Sequence, residues 1–297
     1  MSKGCKMKTE KHNNAKIVIP LGSQSFGNPD RFAVSNRSRK AFTLIEVLTA
    51  VVIIAILVGI LIPALNMVRK IAKDTQQKAQ IASIEIGLSM YKNEDTFGDY
   101  PPSVGSTGNT YCGAQTLTEA MLGQDLLGVD PNTEYKPNEL GGLYADANDR
   151  KGPYLDRTHI SVLTPDHIFN SVTTSLEKDM YVICDVYSAV KKSVTFSSGS
   201  VKKVNISTPI LYYRADTSKT TTNDVYDFAD NKELTDLGAV SDGRSHEIEA
   251  IFYNNMIEDP MLTNRPLRPD SFLLISAGND GLYGTSDDIC NFEPNIE

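Results

Sequence analysis

Residues 41–62 read AFTLIEVLTAVVIIAILVGILI, an apolar run of 22 residues whose one ionisable side chain is Glu46. At a rise of about 1.5 Å per residue, such a helix spans roughly 33 Å, close to the ~30 Å hydrocarbon layer of a bilayer. The run is therefore read as a single membrane-crossing helix. Arg37, Arg39 and Lys40 stand directly before it, whereas Arg69, Lys70 and Lys73 follow later and are offset by Asp74. Positive charge collects on the cytoplasmic side, so the N-terminus is expected in the cytoplasm. A secretory signal peptide would have a shorter apolar core and a small-residue cleavage site, which residues 63–70 (PALNMVRK) do not offer.

Charge divides along the same line. Residues 1–41 hold nine Lys/Arg against two acids, which leaves 20 Lys/Arg against 35 acids in residues 42–297, a net of −15. An acidic body repels phosphate backbones, so no nucleic acid is expected as a partner, and divalent cations suit it better. The four cysteines, Cys5, Cys112, Cys184 and Cys290, form no CxxC pair, and zinc or thioredoxin-like chemistry has no support. One disulfide among Cys112, Cys184 and Cys290 stays open at this point, with its pairing undetermined.

A carboxylate within a bilayer helix costs several kcal/mol and is retained for a partner, so Glu46 calls for a cation or for a route back to the headgroups. Its neighbours bear on that choice. The run Arg39-Lys40-Ala41-Phe42-Thr43-Leu44-Ile45-Glu46-Val47-Leu48 resembles the prepilin cleavage and methylation motif of type IV pilins and type II secretion pseudopilins. The resemblance implies cleavage by a prepilin peptidase between Ala41 and Phe42, removal of residues 1–41 as a leader, and methylation of the new Phe42 amine. It further implies that Glu46 pairs with the Phe42 ammonium of a neighbouring subunit, which fixes helix register where the dielectric is low. Pro63 stands where pilins carry a helix-loosening proline, and a kink or melted segment is expected there. Two departures are visible: Ala41 replaces the family's usual Gly, and the leader is long unless translation starts at Met7 rather than Met1, which would also remove Cys5.

Beyond Pro63 the helical pattern continues. Ile81, Ile84, Leu88 and Tyr91 form one stripe, preceded by a weaker stripe of Val68, Ala72, Thr75, Ala79 and Ala82. Lys70, Lys73, Gln76, Gln77 and Gln80 are expected to face solvent. Gly98 and Pro101-Pro102 close the pattern, so one helix of about 50 residues is expected from Phe42 to near Asn93. Residues 103–178 read mostly as loop, with one helix at 114–122 stopped by Gly123. Strand-like runs follow at 180–187, 194–197, 210–214, 249–253 and 272–276, with a turn at Ser241-Asp242-Gly243. The expected fold is α+β and pilin-like: a long N-terminal helix packed on an antiparallel sheet. Its segments are a transmembrane and assembly helix at 42–63, an amphipathic continuation at 64–98, and a head at 99–297.

After the last strand-like run comes a Gly- and Asp-rich stretch, residues 276–289 (SAGNDGLYGTSDDI). Gly278, Gly281 and Gly284 permit backbone conformations that turn carbonyls inward beside Asp280, Asp287 and Asp288, and hard oxygen ligands with loose geometry suit calcium. A solvated acidic turn is the plain alternative. The spacing is not that of an EF-hand. It is similar to the C-terminal calcium loop of major, G-type pseudopilins. That resemblance implies a structural Ca2+ held within 275–291 by the side chains of Asp280, Asp287 and Asp288, with the carbonyls of Ile275 and Ser276 as further donors.

Nothing in the sequence supports an enzyme. His12, His159, His167 and His246 are scattered, and no HExxH, GxSxG or phosphate loop occurs. The run 242–247 (DGRSHE) collects catalytic residue types but reads as a hairpin turn, and Tyr212, Tyr213 and Tyr253 read as strand packing or an interface. The resemblance implies a structural subunit of a secretion pseudopilus or pilus-like filament in the bacterial inner membrane, with its head periplasmic. Its partners would be prepilin peptidase, like subunits, an inner-membrane assembly platform and the lipid bilayer. The alternative is a membrane-tethered binding module that uses prepilin processing for placement only, since the 256 residues after the leader exceed a compact major pseudopilin.

Overall fold

The computed structural model describes residues 42–105, 111–137, 139–169, 175–195, 199–237, 245–262 and 264–296. The leader with Ala41, and the turn at 241–243, lie outside them. The chain divides into two units, Met1–Ala55 and Ile56–Glu297. In the first, the described residues are exposed and enter helix α1 (Leu44–Asn93). That helix is 50 residues long and runs unbroken through Pro63, so the expected melted segment does not occur. Proline removes one donor and opposes one carbonyl, here that of Gly59, and the helix continues past it all the same. Among the described residues, α1 is the one helix long and apolar enough to cross a membrane, and its most apolar window has no buried residue.

The second unit is α+β. Its further elements are α2 (Gly113–Leu122), β1 (Ser161–Leu163), α3 (Pro165–Ile168), β2 (Val182–Cys184), β3 (Val190–Thr195), β4 (Val201–Ile206), β5 (Leu211–Arg214), α4 (Thr222–Val225), α5 (Ala229–Leu237), α6 (Ile248–Ile251), β6 (Phe272–Ser276) and β7 (Ile289–Cys290). The strands pair antiparallel in three small sheets, β1-β2, β3-β4 and β5-β6-β7. Strand β6 is buried along its whole length because a core lies on each face of its sheet. Tyr212, Phe272 and Leu274 meet Ile84 and Leu88 of α1 and Leu117 and Met121 of α2 on one side. Leu211, Tyr213, Leu273 and Ile275 meet Leu234, Phe252 and Met256 on the other. Strict alternation along both strands follows from the two-residue period of the pleat.

Several expectations are corrected. The burial stripe of α1 starts at Gln77 and takes in Gln77, Gln80, Ile81, Ile84, Gly87, Leu88 and Tyr91. The weaker stripe from Val68 to Ala82 is exposed instead. Residues 249–253 form α6 and the start of a π-helical turn (Phe252–Met256) rather than a strand, since Ile248, Phe252 and Met256 recur every four residues and are all buried. The expected strands at 180–187 and 194–197 shrink or shift to β2 and β3, while α2, β5 and β6 fall where the pattern places them. Cys112, Cys184 and Cys290 are all free thiols, which closes the disulfide question.

Candidate functional site

At its start, α1 is capped by its own motif. The backbone N–H of Thr43 and its hydroxyl both donate to Glu46 Oε2 at 2.9 Å, and the Glu46 N–H donates back to Thr43 Oγ1 at 3.3 Å. This is the reciprocal capping box of a Thr at the helix N-cap and a Glu three residues on, which satisfies donors that the first turn leaves unpaired. The Thr-x-x-Glu spacing was present in the sequence as a helix-start signal, masked there by the apolar run around it. Phe42 is 84 % exposed, and Leu44, Ile45, Val47 and Leu48 are each more than half exposed. Pro63 lies 17 residues beyond Glu46, on the same uninterrupted helix.

Strands β6 and β7 position the second region. Their register sets Ile275 opposite Cys290 and Ser276 opposite Ile289, so the chain from Ala277 to Asp288 is the connection between them. Within it, the carboxylates gather backbone amides. Asp287 Oδ2 accepts the N–H groups of Asn279 at 2.7 Å and Asp280 at 3.0 Å, and Asp287 Oδ1 accepts the Thr285 hydroxyl at 2.8 Å. Asp280 Oδ1 accepts the Leu282 N–H, and Asp288 Oδ2 accepts the Gly284 N–H at 2.7 Å. Gly278 has φ +63°, and a Cβ there would lie 2.2 Å from the Asp287 carbonyl oxygen, so only glycine lets the two strands of the turn approach this closely.

Asp288 is the electrostatically anomalous member. Burial, then the neighbouring charges of Asp287 and Asp280, pushes its carboxyl up to about 8, and its Oδ1 is buried without a hydrogen-bond partner. A cleft of about 760 Å3 between Lys70, Asp74 and Lys78 of α1 and the 285–290 segment gives Asp287 and Asp288 a route to solvent. Among the described residues, no three His, Cys, Asp or Glu side chains are grouped as a set that could hold a metal. Any cation held here would rely on backbone and hydroxyl oxygens beside the carboxylates. Ile275 and Ser276 are fully buried, and the Ser276 hydroxyl favours the charged form of nearby Asp185 without meeting hydrogen-bond geometry. Asp185, whose carboxyl burial pushes up to about 8, was not foreseen, because a lone Asp after a short apolar run carries no sequence signal.

The turn also docks on its surroundings. Tyr283 is buried, its hydroxyl donates to the Pro209 carbonyl at 2.5 Å, its N–H donates to His246 Nδ1 at 3.0 Å, and its carbonyl accepts the N–H groups of Glu247 and Ile248. His246 thus has a holding role, and residues 245–247 lead into α6, while residues 242–244 of the same run lie outside the described residues.

Residues 36–62 match the family described as Prokaryotic N-terminal methylation motif. The chain carries a prepilin-type N-terminus. This motif supports a type IV pilin-like protein processed by prepilin peptidase. With α1 exposed along its apolar length, it fits single-pass anchoring in a membrane. No curated protein and no solved structure matches the chain.

Proposed function

We propose that the chain is a structural subunit of a type II secretion pseudopilus or type IV pilus-like filament in a bacterial inner membrane, with its N-terminus cytoplasmic and its head extracytoplasmic. The observation that carries this reading is the methylation motif joined to an unbroken helix whose most apolar window has no buried residue. An apolar surface of that length needs lipid or other helices around it, and a subunit moving from bilayer to filament exchanges the first for the second. Processing between Ala41 and Phe42 leaves an ammonium four residues from Glu46. Glu46 Oε2 is engaged by Thr43 of its own chain, which holds the carboxylate at the helix start where the ammonium of an adjoining subunit would meet it. Crosslinking between chains carrying Leu48→Cys, together with mass spectrometry of the mature N-terminus, tests the reading. N-methylated Phe42 and crosslinked ladders that Glu46→Ala abolishes are the expected results, and unprocessed monomer in a host with prepilin peptidase overturns it.

We further propose that the 277–288 turn holds a structural Ca2+, for which Asp280, Asp287 and Asp288, not grouped as a ligand set in this structure, would turn their carboxylates together, with Ile275 and Ser276 as further oxygen donors. The orphaned Asp288 Oδ1 and the facing charges of Asp287 and Asp280 support this, since a cation would pair the first, offset the second and draw the proton off Asp288.

A second reading, a membrane-tethered binding module, is favoured by a cleft of about 840 Å3 beside α1 of mixed polar and apolar lining, with Gln76, Asp156, His159 and Asp185 beside Leu155 and Ile160. It predicts N-terminal processing without crosslinked ladders.

A further inference from the structure

The head carries two surface features of opposite charge, neither of which the N-terminal motif explains. The first is the β3-β4 hairpin. Residues 190–206 contain four lysines and no acid, in a chain whose remaining residues beyond the leader hold 16 Lys/Arg against 35 acids. Six cross-strand pairs, from Val190 opposite Ile206 to Thr195 opposite Val201, join its strands, and neither strand joins another sheet. Two-stranded ribbons are marginal in water without a covering partner. Lys191, Lys202 and Lys203 are exposed, and none of them forms an ion pair among the described residues. Lys192 donates to the Asp166 carbonyl.

The second is a groove of about 560 Å3 whose charged lining is entirely acidic: Asp130, Glu139, Asp146 and Asp149. Asp146 and Asp149 are exposed. The Glu139 side chain is only 10 % exposed, and its Oε2 is buried with no hydrogen-bond partner, while Oε1 lies 3.5 Å from Lys136. A carboxylate held out of water with an oxygen unpaired is costly, and a donor brought by another molecule offsets that cost.

We propose that the lysine hairpin of one copy docks against the acidic groove of a second copy, a head-to-tail contact between subunits. This rests on the filament reading and adds to it the pair of head surfaces that meet. Because the two patches differ, the contact is heterologous and leaves a free hairpin at one end and a free groove at the other, so repetition yields an open chain rather than a closed pair. Charge complementarity of this kind sets register and speeds encounter, and it weakens as salt rises.

The test uses the full chain, produced in membranes with prepilin peptidase, with differently tagged copies carrying Lys203→Cys and Asp146→Cys. The expected result is a mixed disulfide between the two tags at least tenfold above a pair in which exposed Lys219→Cys replaces Lys203→Cys. Adding Lys191→Glu and Lys202→Glu to the first copy lowers the yield about tenfold, and Asp149→Lys on the second restores it. A yield no higher than the control, or one unchanged by charge reversal, overturns the proposal. So does loss of sedimentation with phosphatidylglycerol vesicles on charge reversal when no mixed disulfide forms, since the hairpin would then face lipid. Val58→Cys crosslinks along α1 and the state of Phe42 are read in parallel. If both report assembly while the head pair fails, this inference alone falls; if both fail, the filament reading falls with it.

Discussion

Gln80 Nε2 donates to the backbone carbonyl of Cys184 at 2.9 Å, from a helix position that is 7 % exposed. One turn earlier, Gln77 Oε1 accepts the Val186 N–H at the same distance, and Gln77 is fully buried. Strand β2 ends at Cys184, so the two amides take over backbone groups that its ladder with β1 no longer serves. They also fix where along α1 the head attaches. Gln80→Leu keeps the volume but leaves a buried carbonyl unpaired, and we expect a loss of about 1–3 kcal/mol in urea unfolding of the detergent-solubilised chain. Gln76→Leu, at an exposed neighbour, should change stability by less than about 0.5 kcal/mol. Equal effects of the two would remove the role assigned to Gln80.

Glu119 holds the long segment after α2 in place. Its carboxylate accepts the hydroxyls of Tyr111, Thr133 and Tyr144, the last at 2.8 Å, and burial raises its pKa despite those donors. Glu119→Leu would strand three hydroxyls in an apolar setting, at a cost of roughly 3 kcal/mol. The expected readout is local as well as global: trypsin should cut at Lys136 or Arg150 at least tenfold faster in the variant. Unchanged cleavage would show that the segment is held by other contacts.

The long helix, its end near Asn93 and the central strands β5 and β6 were legible because each carries an uninterrupted periodic signal: Ile81, Ile84, Leu88 and Tyr91 at helical spacing, and FLLIS as a continuous run. The lower bound of the packed face was not, since Gln77 and Gln80 look like solvent residues until the strand end they serve is in view. Residues 249–253 misled for a different reason. Isoleucine, phenylalanine and tyrosine favour strands, but Ile248, Phe252 and Met256 share one helical face, and packing against Tyr213 and Leu234 decides the outcome over intrinsic preference. At the N-terminus the sequence supplied Phe42 and Glu46, while the cap between Thr43 and Glu46 needed coordinates. In the C-terminal turn the acidic residues were evident, but their capture of backbone amides depends on the fold of glycines such as Gly278.

Protonation gives a prediction with a definite sign. Burial pushes the Asp230 carboxyl up to about 6, against the opposing pull of its bond from Ser103. A carboxyl raised on folding makes the native state hold its proton more tightly than the unfolded chain. Its contribution is therefore fully present below about pH 4 and is lost as pH rises through about 6. After allowance for partial exposure, about 2 kcal/mol is expected. Asp185 and Asp288, both raised to about 8, extend the fall in stability to higher pH. Asp230→Asn should make the decline between pH 4 and 6 shallower and leave the decline between pH 6 and 8 as it was. A parallel shift of the whole curve would count against the assignment.

Calcium should reverse part of that decline at neutral pH. A ligand that binds only the native chain stabilises it by about 2.7 kcal/mol at a hundredfold excess over its Kd, so thermal melting of the detergent-solubilised chain should rise by several degrees with calcium and return with chelator. Asp287→Ala is expected to abolish the gain. It should also lower the calcium-free melt, because Asn279 and Asp280 lose the acceptor of their N–H groups. Gly278→Ala separates the two effects: its Cβ would meet the Asp287 carbonyl at 2.2 Å and spread the turn while every carboxylate remains. If that variant melts lower yet keeps the full calcium gain, the cation binds without the closed turn, and an identical wild-type melt with and without chelator would remove the cation from the account altogether.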